Sequence, residues 1–160
     1  MDSTPKKLDI SSKGRCVSQG RLDGLRMSQN TGIARFFLYG EPPRPADSRF
    51  VHLETVDDRS RPANWIIRPH AHADLHHVFF IESGGGQGAA DGKGITIVAP
   101  SLVIVPAGLV HGFVWMEDTA GRVLTFSDSF MRALSESEPA LPDMFERGMW
   151  TARVEDAVVT

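Results

Sequence analysis

At 160 residues and 17.5 kDa, with 41% hydrophobic and 23% charged residues, the chain has the size and composition of one globular domain, which excludes collagenous, disulfide-scaffold and disordered classes. Seventeen Lys and Arg against twenty Asp and Glu leave a net charge of -3, so no global cationic field is available to grip a phosphate backbone. The single cysteine, Cys16, forms no intrachain disulfide, and the first thirty residues lack the apolar stretch of a signal peptide, so the expected address is cytoplasmic.

Residues 1–30 are polar and rich in Lys, Ser and Gly, and read as a flexible leader. From residue 31 to 128 short apolar runs recur between turn signals: Ile33 to Tyr39, Phe50 to Val56, Trp65 to Arg68, His76 to Ile81, Ile95 to Ala99, Leu102 to Val105, His111 to Trp115 and Arg122 to Ser127. Eight short strands separated by Pro- and Gly-bearing turns predict an all-β sandwich or barrel. The separators are Glu41-Pro-Pro-Arg-Pro45, the glycines at 84 to 86, Ala90-Asp-Gly92, Pro106-Ala-Gly108 and Ala120-Gly121. The run from Gly94 to Met116 has no Asp, Glu, Lys or Arg over 23 residues, a length that could span a bilayer. Pro100 and Pro106 would break a helix there, and its Ile, Val and Thr favour two buried strands, so no membrane span is expected. Past residue 128 the period changes: DSFMRALS opens on a capping-type Asp128 and sets Phe130, Met131 and Leu134 on one helical face. Residues 129–160 therefore read as a helical dimerisation or linker segment, its scattered apolar residues Leu141, Met144, Phe145 and Trp150 open to a partner.

Of six histidines, five fall at 70, 72, 76, 77 and 111. In an extended chain His70 and His72 project from one face, where two imidazoles can converge on one metal ion. A third ligand is available from His76 or His77 on the next strand. A fourth is His111, which follows the turn Val105-Pro-Ala-Gly-Leu-Val-His111. Four neutral nitrogens suit Zn, Fe, Ni or Mn better than calcium or magnesium. His76 and His77 have opposite strand parity, so one of them should point outward as a surface residue. His111, Phe113 and Trp115 share a face by period two, which would place two aromatic stacking partners beside the metal. Trp65 is an aromatic candidate of the same kind, and a cation for a ligand carboxylate is available from Arg35, Arg49, Arg59, Arg61 or Arg68 on or near the early strands, of which Arg68 shares parity with His70 and His72.

The spacing H-x-H at His70 and His72, followed downstream by P-x-G-x-x-H at Pro106, Gly108 and His111, resembles the pair of motifs that marks the cupin superfamily. Gly84 matches the glycine that closes the first motif, and counting back from it puts the usual third ligand at His77. Glycines expected six positions before His70 and before Pro106 are Asn64 and Pro100 here. Across roughly residues 35 to 135, the runs RFVHLETVDDRSRPANWIIRPHAHADLHHVFFIESGGG, ADGKGITIVAPSLVIVPAGLVHGFVW and GRVLTFSDSFMRAL are similar to the N-terminal sensor domain of AraC-type transcription regulators, most of all the 4-hydroxybenzoate-responsive subgroup. The resemblance implies a cupin-type double-stranded β-helix with a short C-terminal helical segment. It implies a small-molecule effector, plausibly an aromatic acid, bound by His70, His72, His77, His111, Trp65, Arg68, Phe113 and Trp115, and one divalent metal at the four histidines. It also implies a homodimer that reaches DNA only through a C-terminal helix-turn-helix half outside these residues. No bond is made or broken in this scheme. The alternative is a metal-dependent cupin enzyme of dioxygenase or isomerase type, for which the nearby acids are Glu54 and Glu82.

Overall fold

A computed structural model describes residues 32–154; the expected leader at 1–30 lies outside the described residues. Ten strands and three short helices follow in chain order: β1 (Ala34–Arg35), β2 (Val51–Thr55), α1 (Val56–Ser60), β3 (Ile66–Ala71), β4 (Leu75–Ser83), β5 (Gly85–Ala90), β6 (Lys93–Val98), β7 (Ser101–Val105), β8 (His111–Trp115), β9 (Ala120–Ser127), α2 (Asp128–Ser135), α3 (Leu141–Glu146) and β10 (Trp150–Arg153). They form two five-stranded sheets, one in the order β1-β3-β8-β5-β6 and the other β10-β7-β4-β9-β2. Every pairing is antiparallel except β1 with β3. The all-β, barrel-like architecture is the one that the strand pattern requires. Among the described residues, no helix is long and apolar enough to cross a membrane.

Inward-facing positions of both sheets meet in one core of Ile67, Phe79, Ile81, Ile97, Val103, Val105, Phe113, Trp115 and Val123, with Val56 and Trp65 closing one end. Each such side chain contributes about 1.5–3 kcal/mol by leaving water. A second cluster forms outside the barrel, where Met131 of α2 and Phe145 of α3 cover Ile104 and Phe126 on the outer face of the second sheet. Helix α2 spans the expected DSFMRALS run, but its cap is Ser127 and not Asp128: the Ser127 hydroxyl accepts from Phe130 N–H at 3.2 Å, and Asp128 is the first helical residue. The segment expected as a dimerisation or linker element folds back onto its own barrel: β10 pairs with β7, and Trp150 Nε1–H donates to the Met144 carbonyl. Leu134 stays exposed.

Besides β10, a strand within the segment expected to be helical, three elements depart from the sequence pattern. Only Ala34–Arg35 of the run Ile33 to Tyr39 is strand, since Phe37 N–H and Glu41 N–H turn back onto the carbonyls of Glu41 and Leu38. Helix α1 is nucleated by Thr55, whose N–H donates to Asp58 Oδ2 at 2.8 Å in a capping box. Of the glycines at 84 to 86, expected as a separator, only Gly84 stands between strands, with φ +79°, and Gly85 and Gly86 open β5 instead. A Cβ on Gly86 would lie 2.4 Å from the Val114 carbonyl oxygen and 3.2 Å from the Trp115 ring, so the chain there has no side chain because β8 leaves no room for one.

Gly86→Ala should therefore destabilise the fold by about 1–3 kcal/mol through overpacking. Gly94→Ala, whose added Cβ would meet nothing closer than 3.8 Å, serves as the control. Thermal denaturation of the two variants side by side tests this; equal melting temperatures would contradict the packing account.

Candidate functional site

The two sheets bring the four histidines together from opposite sides. His70 and His111 are direct partners in the β3–β8 ladder, and their ring centroids are 4.4 Å apart. His72 follows β3, and its carbonyl accepts from Gly108 N–H at 2.7 Å, so the P-x-G turn before His111 is tied to the end of the H-x-H segment. His77 faces them from β4 in the other sheet, with its ring 4.5 Å from His72 and 5.8 Å from His111. All four are buried. One nitrogen each from His70, His72 and His111 lies within 4.8 Å of the others; His77, whose ring is near that of His72, is not one of this trio.

The tautomers follow from the backbone. His70 Nδ1 lies 2.7 Å from the Arg68 carbonyl, His72 Nδ1 3.1 Å from that of Phe36, and His111 Nδ1 2.9 Å from that of Leu109. A carbonyl only accepts, so each Nδ1 carries the proton and each Nε2 presents a lone pair. His70 Nε2 and His72 Nε2 then face each other at 2.9 Å as two lone pairs, an arrangement that calls for a cation between them. A proton is disfavoured there: burial, with His111 and His72 alongside, holds His70 down to about 2, and burial holds His111 to about 4. Burial also lowers His72, and it pushes the fully enclosed His77 well below the ordinary range. His77 Nδ1 meets Thr125 Oγ1 at 2.9 Å, while its buried Nε2 has no hydrogen-bond partner. Among the described residues, His70, His72 and His111 are thus a trio that could hold a metal ion, each ring anchored to the backbone through its other nitrogen. Tetrahedral Zn–N bonds hold two nitrogens about 3.3 Å apart, so the His70–His72 pair needs to open by only a few tenths of an ångström.

Next to His70, His72 and His77 lies a cavity of about 50 Å³, walled by Phe79, Phe113, Trp115, Ile67, Val56, Leu38 and Tyr39 and carrying Glu54 and Arg59. Phe113 and Trp115, grouped with His111 by parity, do share the interior, stacked at 4.8 Å. The cavity is a third of the ~150 Å³ that takes up a benzene ring, so an aromatic acid would need Phe79, Phe113 or Trp115 to move.

Other candidates lie elsewhere. Arg68 is exposed: the β3–β8 register shifts between Ile67 and His70, a bulge that breaks the period-two reading and turns Ile67 inward in its place. Trp65 is buried at the core's edge with Arg61 over its ring, outside the cavity wall. Asn64, at the place of an expected glycine, has φ +52°, a left-handed conformation that Asn tolerates better than most residues. His76 points out of the barrel as its parity requires, yet is buried rather than a surface residue, because α2 and α3 cover it: its ring stacks on Phe126 and meets Phe145 edge-on. Its Nδ1 accepts from Ala107 N–H at 3.0 Å, so its Nε2–H donates to Asp128 at 3.1 Å. Arg59, one of five early arginines that the sequence offers as a cation for a carboxylate, is the one that lines the cavity, whereas Tyr39 was not singled out; the Thr55-x-x-Asp58 capping signature could have located α1 and, with it, Arg59.

No family model matches the chain, and no curated protein matches it. Among solved structures it is similar to ToxT from Vibrio cholerae, at 16% identity and a TM-score of 0.41 over 68% of this chain and 43% of that one. A second ToxT crystal structure aligns at 15% identity, TM-score 0.42, over 69% and 41% of the two chains. A third, of ToxT bound to an unsaturated fatty acid, aligns at 15% identity, TM-score 0.35, over 57% and 34%. The chain thus spans less than half the length of these proteins.

Metal-free protein should be acid-sensitive in a defined window. An unfolded histidine takes up a proton near 6.5, whereas folded His111 resists until about 4, so the unfolded state holds more protons between these values. Stability is fully present above 6.5 and falls as pH is lowered towards 4, by about 3 kcal/mol for His111 alone. Denaturant midpoints across that range measure it, and a flat profile would contradict neutral, buried imidazoles.

Proposed function

We propose that this chain is a ligand-sensing cupin-type domain, of the kind that forms the effector-binding half of AraC-type transcription regulators, with a divalent transition metal held at His70, His72, His111 and His77. The observation that carries the reading is the convergence of Nε2 lone pairs whose Nδ1 atoms are committed to backbone carbonyls. A bound Zn, Fe, Ni or Mn ion would supply a Lewis acid towards an oxygen atom of a small ligand. The chain's own residues do the rest. Phe79, Phe113 and Trp115 exclude water, and Glu54 and Arg59 supply polar contacts on the side away from His111.

A sensor also needs a route outward, and neighbouring positions of β4 supply one. His77 faces the site, while His76 holds the Pro106–Gly108 turn through Ala107 and the first turn of α2 through Asp128. A ligand that shifts β4 or this turn changes how α2 seats on the barrel, a population shift between two arrangements. Pairing of two copies through α2, where Leu134 is exposed, and contact with DNA through a further helix-turn-helix half complete the reading.

One observation favours a second reading. Glu54 lies inside the cavity with its side chain only 12% exposed, a carboxylate placed to take a proton from a metal-bound substrate in a cupin enzyme.

Elemental analysis of protein purified without chelator should find about one transition-metal ion per chain, and His111→Ala should lower metal affinity about tenfold or more. Added ion at a thousand times its Kd should stabilise the stripped protein by about 4 kcal/mol. Protein that stays metal-free and whose melting temperature ignores Zn, Ni, Mn and Fe alike overturns the proposal. Mass analysis of small acids incubated with loaded protein separates the two readings: unchanged acids mark a sensor, converted acids an enzyme.

A further inference from the structure

Arg59 is the one Lys or Arg lining the cavity among the described residues. It stands on α1 and is half-buried, and its guanidinium is held on three sides: Nε–H donates to Glu54 Oε2 at 2.8 Å, Nη1–H to the Tyr39 carbonyl at 3.1 Å and Nη2–H to Glu41 Oε1 at 3.0 Å. A guanidinium has five N–H donors, so two beyond these bonds are open to another acceptor. Its two carboxylate partners differ. Glu54 is enclosed and also takes His52 Nε2 at 3.2 Å, whereas Glu41 sits on the surface turn after Tyr39 with its side chain 37% exposed. Two carboxylates against one cation also leave this group with an excess negative charge, which weakens the grip of the more exposed one.

We propose that Arg59 is the anchor for the carboxylate of a short-chain organic acid, which exchanges with Glu41 on the Nη edge of the guanidinium while its remaining atoms reach towards the histidines. Two parallel N–H···O bonds to a carboxylate are the strongest recognition that an arginine offers, and Glu54 and Tyr39 hold the fork in position before the ligand arrives. The cavity limits the size of that acid. About 50 Å³ admits only a few heavy atoms beyond the carboxylate, which selects two- or three-carbon acids over aromatic ones. This inference deepens the ligand-sensing reading and rests on it for the position of the ligand, but Arg59 binds a carboxylate by charge whether or not an ion is present.

The test titrates the full chain, metal-loaded and stripped, with acetate, glycolate and lactate against glycolamide and lactamide, followed by calorimetry, with metal content measured on every sample. The acids should bind and the uncharged amides should not. Arg59→Gln should weaken acid binding by about tenfold or more, and Glu41→Gln should tighten it several-fold by removing the competing carboxylate. The Glu41 variant alters only an exposed side chain, so it keeps the test decisive if the Arg59 variant fails to fold. Amides that bind as well as acids, no acid binding at all, or a Glu41 variant with unchanged affinity overturns the assignment. Acids that bind stripped protein lacking any affinity for metal would overturn the metal reading and leave Arg59 as the anchor.

Discussion

The site depends on three hydrogen bonds from imidazole Nδ1–H groups to main-chain carbonyls. Each carbonyl belongs to a different segment: Arg68 within β3, Phe36 just after β1, and Leu109 in the turn before β8. With those protons committed, the remaining lone pairs have nowhere to point but inward, towards one another. Two of these bonds are local, reaching two residues back along the chain, whereas the Phe36 bond needs β1 on β3; the pairing of β3 with β8 then brings the His70 and His111 rings together. Enclosing two neutral lone pairs face to face at 2.9 Å costs free energy, and the backbone anchors hold the rings in that arrangement rather than letting it relax.

Strand β4 places two chemically alike residues in opposite roles. His77 looks into the barrel, where burial and neighbouring imidazoles strip it of charge and leave Nε2 unpartnered. His76, one residue earlier, looks out, and is covered by Phe126 and Phe145 while both its nitrogens are occupied. Alternation along a strand thus joins the interior of the barrel to the seat of α2 within a single peptide unit. Asp128 is shared between His76 and Arg132, so the outer contact extends from the sheet into the helix itself.

The histidine spacing made most of the metal-type site legible, because H-x-H on a strand and a histidine after a Pro-Gly turn each constrain where an imidazole can point. Helix α2 was legible in extent because its apolar face is local, although its cap lies one residue earlier than read, at Ser127 instead of Asp128. Three things were not. Pro69 hints at the bulge, since a paired strand tolerates proline only at an edge, its first residue or a bulge, but it does not say which side chain the shift turns, so parity assigned Arg68 to the interior that Ile67 occupies. Strand β2, an edge, carries Val51 and Leu53 on its outer side, 48% and 58% exposed, and the polar His52 and Glu54 on its inner side. There the usual rule of apolar residues inward is reversed, and Glu54 could not be oriented from pattern alone. Arg59 was one of five arginines open to the role of a cation, and only the helix that carries it and the turn that it grips single it out.

The least legible strand has a direct bearing on what the cavity can hold. Residues Gly85 to Ala90 contribute almost no side-chain bulk, and the aromatic rings of β8 settle against them: a Cβ on Gly88 would lie 3.1 Å from the Phe113 ring and one on Gly86 3.2 Å from that of Trp115. Side chains at those positions would crowd Phe113 and Trp115 towards the space between the sheets, where the cavity lies. The glycines therefore do more than permit a close approach of strands. They set back one wall of the binding space, and the volume left beside the histidines is fixed by residues that touch neither the metal-type site nor the arginine opposite it.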